Sequence, residues 1–202
     1  MRPVRGSGSR RYSNDGGSNA EHDGLSVALL NAQSVSRKST AISDTVFYRR
    51  LDALALTETW HVTNDDLPLR RCAPPGYAII DAPRQSSMSG RGGGVALLFT
   101  NRFIAKRLTF AAQLTTVLGC TLQSASLSAV YIVIYRPCSQ VVSELFVEEL
   151  TSLLETIATY RYRIIICGDF NIHFNDPLDR HSQRLAEIIE SCDLSQVVSG
   201  LT

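Results

Sequence analysis

Residues 164–173 read Ile164-Ile165-Ile166-Cys167-Gly168-Asp169-Phe170-Asn171-Ile172-His173, an apolar run that ends in a cluster of polar groups. Consecutive β-branched or small apolar residues of this kind predict a strand that is fully buried. The polar cluster then falls at its C-terminal edge, where the chain turns. Proteins built of alternating strands and helices place chemistry at such edges, because side chains there face a crevice while the strand fixes their position. Asp169 and Asn171 lie on one side of an extended chain, so both oxygens can face one ligand. The plain alternative is an Asx turn that closes the strand.

Other stretches repeat the pattern of an apolar run with a polar end. Leu25 to Gln33 reads Leu-Ser-Val-Ala-Leu-Leu-Asn-Ala-Gln, a strand ending in Asn31. Leu54 to Trp60 reads Leu-Ala-Leu-Thr-Glu-Thr-Trp and delivers Glu58. Arg91-Gly92-Gly93-Gly94 leads into Val95-Ala96-Leu97-Leu98, and Tyr131-Ile132-Val133-Ile134 leads into Tyr135-Arg136-Pro137. These stretches, in this order, resemble the motifs of the endonuclease/exonuclease/phosphatase superfamily of metal-dependent phosphodiesterases. The wording Asn-Ala-Gln-Ser, Thr-Glu-Thr-Trp, Tyr-Arg-Pro and Gly-Asp-Phe-Asn-Ile-His is most similar to the endonuclease domain of non-LTR retrotransposons, the long interspersed elements. The resemblance runs from about Leu25 to Gln196. It implies a DNase-I-like α/β fold, a four-layer α/β/β/α sandwich.

The resemblance also implies roles. Glu58 is the metal carboxylate, for Mg²⁺ or Mn²⁺, with Asn31 beside it. Asp169 and Asn171 orient the attacking water and hold the scissile phosphate, and Tyr135 donates a hydrogen bond from its phenol. Arg136, Arg91 and His173 are candidate substrate contacts. For Arg136 the alternative is a surface residue next to Pro137; for His173 it is local hydrogen bonding. The three glycines are read as permitting a tight turn or close sheet packing. His61, after the Trp, has no partner that the sequence names.

Relatives of this kind end in a Ser-Asp-His triplet that carries the general base. No such triplet occurs here: the histidines are His22, His61, His173 and His181. The expectation is therefore a domain whose second sheet is incomplete at its C-terminus, a monomer prone to aggregate through unpaired edges.

Composition adds bounds. A chain of 202 residues with 44% hydrophobic content can bury one sizeable core. A net charge of +1 is not that of a polybasic nucleic-acid binder, although a groove can be locally basic. Five widely spaced cysteines without a Cys-x-x-Cys point to reduced thiols in the cytoplasm or nucleus rather than to zinc. The longest apolar runs are strand length, well short of a bilayer span. Residues 1–24, rich in Gly, Ser and Arg and almost without apolar side chains, are read as a disordered tail, with the domain at 25–202.

The expected order after Leu25 is strand, helix, strand, loop, several strands, helix, strand, helix. Ser34 to Leu51 should be mostly helical, and Val62 to Gly76, with its prolines, an irregular loop. Phe146, Leu150, Leu153, Leu154 and Ile157 share a helix face, as do Leu185, Ile188, Ile189 and Cys192. No internal repeat of fixed period is visible.

Two functions of different class follow. One is a Mg²⁺-dependent endonuclease that nicks target DNA. The other is a catalytically inactive retrotransposon remnant that binds nucleic acid without cleaving it. The superfamily's lipid and inositol phosphatases supply a further reading, against which the retrotransposon-like wording speaks.

Overall fold

The computed structural model describes residues 25–84, 92–139, 141–172, 176 and 178–197. Its elements run β1 (Val27–Asn31), α1 (Ser39–Tyr48), β2 (Ala53–Thr57), α2 (Leu67–Arg70), β3 (Tyr77–Ala82), β4 (Val95–Thr100), β5 (Ile104–Leu108), β6 (Thr116–Gln123), β7 (Ser128–Tyr135), α3 (Glu144–Ala158), β8 (Arg163–Asp169) and α4 (Arg180–Ser191). One sheet has the order β1-β2-β4-β3 and the other β5-β6-β7-β8.

Alternation along the strands divides the apolar residues into layers. Ala53 and Ala55 of β2 and Val95, Leu97 and Phe99 of β4 face the other sheet, where they meet Leu118, Cys120, Leu122, Tyr131 and Val133. The residues between them, Leu54, Leu56, Ala96 and Leu98, face Ile42 and Val46 of α1. On the far side Val130, Ile132 and Ile134 receive Phe146, Leu150, Leu154 and Ile157 of α3 and Leu185 and Ile188 of α4. The result is the expected four layers, helix outside sheet on both sides.

Each sheet contains one parallel pair joined by a helix: β1 to β2 through α1, and β7 to β8 through α3. A helical crossover is how a chain returns to start a parallel neighbour. All four of these strands end at the same edge of the sandwich. In register, Asn31 pairs with Thr57, and Tyr135 pairs with Asp169.

Several elements differ from expectation. The strand read as fully buried, β8, is only half-buried along Ile164–Cys167. Among the described residues it is an edge strand with β7 as its one neighbour, so its apolar run packs from one side. The first helix starts at Ser39 rather than near Ser34, because Gln33 and Ser34 have positive φ (45° and 77°) and turn the chain before it. The Pro-rich loop contains the short helix α2. Asp66 caps it, accepting from the Leu69 N–H at 2.9 Å, and Pro68 sits in the first turn, where no donor is needed. Residues 1–24 lie outside the described residues, as do Arg91 and His173.

Candidate active site

Asn31 is the last residue of β1, and its exposed amide is the hub of the site. Its Nδ2 donates to Oε1 of Glu58 at 2.9 Å and to Oδ2 of Asp169 at 3.0 Å. Its Oδ1 accepts from the Gln33 N–H at 3.2 Å, which fixes the amide's orientation. Two carboxylates from different sheets are thus brought to one side chain.

Glu58 follows the end of β2, with the left-handed φ of 50° that turns it out of the strand direction. Its Oε2 lies 3.4 Å from Nε1 of Trp60. Gly92 closes this side. A Cβ there would lie 3.4 Å from the Tyr135 hydroxyl, 3.7 Å from Trp60 Nε1 and 4.0 Å from Glu58 Oε2, so three polar groups converge on this position, and its φ of 104° is what favours glycine. Gly92, expected to permit a tight turn or close sheet packing, also lines the site.

Tyr135, the last residue of β7, is 5% exposed. Burial, reinforced by the negative charges of Glu58 and Asp169, pushes its phenol up to about 12. At neutral pH it is a hydrogen-bond donor.

The turn after β8 is an Asx turn, and the side chains of Asp169 and Asn171 are held by different partners. Oδ1 of Asp169 accepts from the Asn171 N–H at 3.0 Å, an Asx turn, while Oδ2 points to Asn31. Asn171, at φ 49°, donates from its side chain to the Arg136 carbonyl at 2.6 Å. Arg136 in turn is 2% exposed, not a surface residue. Its Nε and Nη2 donate to the carbonyls of Phe170 and Asn171, each at 2.6 Å, and its guanidinium lies 5.5 Å from the Phe146 ring centroid. Burial lowers its pKa from the ordinary value. Arg136 therefore braces the Asp169 turn from inside, a role that the pattern Tyr-Arg-Pro does not distinguish from a phosphate contact.

Sequence reasoning missed the partners of His61. The ring is 1% exposed, with Nδ1 2.6 Å from Thr59 Oγ1 and Nε2 3.0 Å from Asp81 Oδ2. No spacing signal joins positions 61 and 81, since β3 comes beside this loop only in the folded sheet.

Among the described residues no group of three or more His, Cys, Asp or Glu could hold a metal ion. The oxygens present, from Glu58, Asp169 and the Asn31 amide, are nonetheless hard donors. Mg²⁺ fits such a set, because it binds through one or two carboxylates and keeps several waters.

The profile of the Endonuclease/Exonuclease/phosphatase family matches residues 18–194, and the chain belongs to that family. Its structure is similar to the endonuclease domain of TRAS1, a telomere-specific non-LTR retrotransposon, with TM-score 0.62 and 15% identity over 88% of this chain and 74% of that one. It is also similar to the AP endonuclease LMAP of Leishmania major (TM-score 0.58, 14% identity, 82% of this chain, 65% of that one). A mannosyl-6-phosphatase of Bacteroides thetaiotaomicron shares the fold as well (TM-score 0.54, 13% identity, 81% of this chain, 70% of that one). None of the curated proteins matches the sequence.

Proposed function

We propose that this chain is a divalent-metal-dependent phosphodiester hydrolase of DNA, of the kind that nicks a target strand. The observation that carries the reading is the convergence of Asn31, Glu58, Tyr135 and Asp169 at the ends of four strands, with one amide joining both carboxylates. The retrotransposon-like wording of the motifs and the similarity to the TRAS1 endonuclease domain support DNA as the substrate.

Hydrolysis forms a bond from a water oxygen to phosphorus, breaks the bond to the leaving oxygen and returns a proton to that oxygen. Asp169 uses two of its carboxylate lone pairs inside the protein, which leaves acceptor capacity to orient the water. Tyr135, held protonated, donates to a phosphate oxygen, and Asn31 keeps Glu58 and Asp169 in one frame. Held by Glu58 with Asn31 beside it, Mg²⁺ would polarise the phosphoryl oxygen and offset charge on the leaving oxygen.

A second reading is binding without cleavage. It is favoured by the absence of an imidazole among the described site residues: His61 is enclosed between Thr59 and Asp81, and His181 lies on α4 in the helical layer. Plasmid relaxation in the presence of Mg²⁺, with Asp169→Ala as control, separates the two when run beside a gel-shift assay on the same DNA. Nicking that requires both Mg²⁺ and Asp169 establishes the hydrolase. A DNA shift without nicking establishes the binding reading, and neither result removes DNA as the ligand.

A further inference from the structure

We infer that Asp81, His61 and Thr59 form a buried polar strut that positions Glu58, so that His61 and Asp81 are positioning residues for the metal carboxylate. The inference rests on the metal role of Glu58 proposed above.

The starting point is strain. Glu58 and Trp60 both have left-handed backbone, φ 50° and 61°, and neither is glycine. Such conformations are unfavourable for residues with a Cβ and persist only where their surroundings over-determine them. Main-chain bonds hold the loop from two sides. Ser34 and Val35 donate to the carbonyls of Glu58 and Thr59 at 2.8 and 3.2 Å, and Thr59 and Trp60 donate to the carbonyls of Gly94 and Gly93 at 3.2 and 2.9 Å. These bonds fix the path of the chain. Thr59, between the two strained positions, is bonded through both of its main-chain groups and is held a third time through its side chain.

Thr59 is 1% exposed, and its hydroxyl meets Nδ1 of the equally buried His61 at 2.6 Å. The Asp81 carboxylate can only accept, so His61 donates from Nε2 at 3.0 Å, and in the neutral ring Nδ1 accepts the Thr59 hydroxyl. The Thr59 hydroxyl and both ring nitrogens of His61 are thereby paired, and the direction of the strut is set. Asp81 belongs to β3, and its backbone carbonyl accepts from Arg107 of β5 in the other sheet. The strut therefore ties the Glu58 loop to a residue that both sheets hold.

Packing closes it. A Cβ on Gly94 would lie 2.5 Å from Thr59 Oγ1 and 2.8 Å from His61 Nδ1, so the third glycine of the triplet is needed where the strut passes. An imidazole that merely filled the core would not need to sit between the two strained residues and a carboxylate on β3, two strands away in the sheet.

The chain's single tryptophan, Trp60, makes the inference measurable, because its indole nitrogen is 3.4 Å from Glu58 Oε2. The full chain is titrated with Mn²⁺ by Trp60 fluorescence and by calorimetry, and acrylamide quenching of Trp60 is measured without metal. His61→Leu and Asp81→Leu should weaken Mn²⁺ binding about tenfold or more, while Asp81→Asn, which keeps an acceptor oxygen, stays within about threefold of the parent. Both Leu variants should also raise the acrylamide accessibility of Trp60. Leu185→Ala, in the distant α4 layer, supplies a comparable loss of Tm and should change neither quantity.

Wild-type Mn²⁺ affinity and Trp60 accessibility in His61→Leu, or changes no larger than those of Leu185→Ala, would overturn the inference. If His61→Leu does not fold, the contrast between Asp81→Asn and Asp81→Leu decides it in the same way. If the parent chain shows no response to Mn²⁺, the metal reading fails. The strut then stands or falls on the acrylamide data alone.

Discussion

The amide of Asn31 donates to Oδ2 of Asp169 at 3.0 Å across 138 positions of sequence, and to Oε1 of Glu58 at 2.9 Å. One neutral side chain holds two carboxylates that would otherwise repel each other. Asn31→Ala removes both bonds. Because the site is exposed, stability should fall by less than about 1 kcal/mol, whereas nicking should fall about 10²-fold or more through the loss of preorganisation. Urea melts and plasmid relaxation on the same preparation check the split; unchanged nicking would remove Asn31 from the site.

Glu58→Gln keeps the shape of the side chain and loses its charge. Calorimetric titration should show weak Mg²⁺ or Mn²⁺ binding by the parent chain and none by the variant. Equal affinity in the two proteins would place the metal elsewhere.

Arg136→Lys should behave as a stability variant. A lysine cannot reach the carbonyls of Phe170 and Asn171 together from a planar fork, so a buried charge loses much of its pairing. The expected cost is about 2–3 kcal/mol in a urea melt. A loss of DNA affinity with no loss of stability would instead make Arg136 a substrate contact.

Gly168→Ala tests why the motif at the end of β8 carries glycine. A Cβ on Gly168 would overlap the backbone carbonyl of its β7 partner Ile134. Backbone cannot yield as a flexible side chain does, so β8 must separate from β7. Overpacking of this kind costs about 1–3 kcal/mol or more. Faster amide exchange confined to Ile164–Asp169 and its β7 partners is the expected signature.

Stability should fall at alkaline pH. Burial pushes the thiol of Cys72 up to about 11 and those of Cys120 and Cys167 up to about 12, from an ordinary 9.0. Below about pH 9 these groups are protonated in both states and contribute no slope; above it the unfolded chain releases protons that the folded chain retains, so stability is lost progressively as pH rises towards the folded values. Tyr135 adds to the loss from about pH 10. Urea midpoints measured across this range should decline, and Cys167→Ala should flatten the decline.

Much of the fold was legible because its signals are local. The apolar runs of β2, β4, β6 and β7 mark buried strands, and the spacing of Phe146, Leu150, Leu153, Leu154 and Ile157 marks the face of α3 that the structure buries. Burial of β8 was not legible, because an apolar run looks the same at the centre of a sheet and at its edge. The start of α1 was also hidden, since Gln33 and Ser34 turn with positive φ where their N–H groups bond to the Asn31 side chain and to the Glu58 carbonyl, partners that no local preference announces.

The sequence by itself determined which residues could do chemistry. Asn31, Glu58, Tyr135 and Asp169 each stand at or just past the end of an apolar run, and a strand end is where a polar side chain escapes burial. Only the tertiary structure decided that those ends meet. Two parallel pairs, each closed by a helix, stack so that their C-terminal edges coincide, and no periodicity in the chain announces that stacking. The inward turn of Arg136 and the enclosure of His61 between Thr59 and Asp81 belong to the same class of fact. A polar residue's role depends on which acceptors lie within about 3 Å of it, and those come from strands remote in sequence, brought close by burial of the apolar faces.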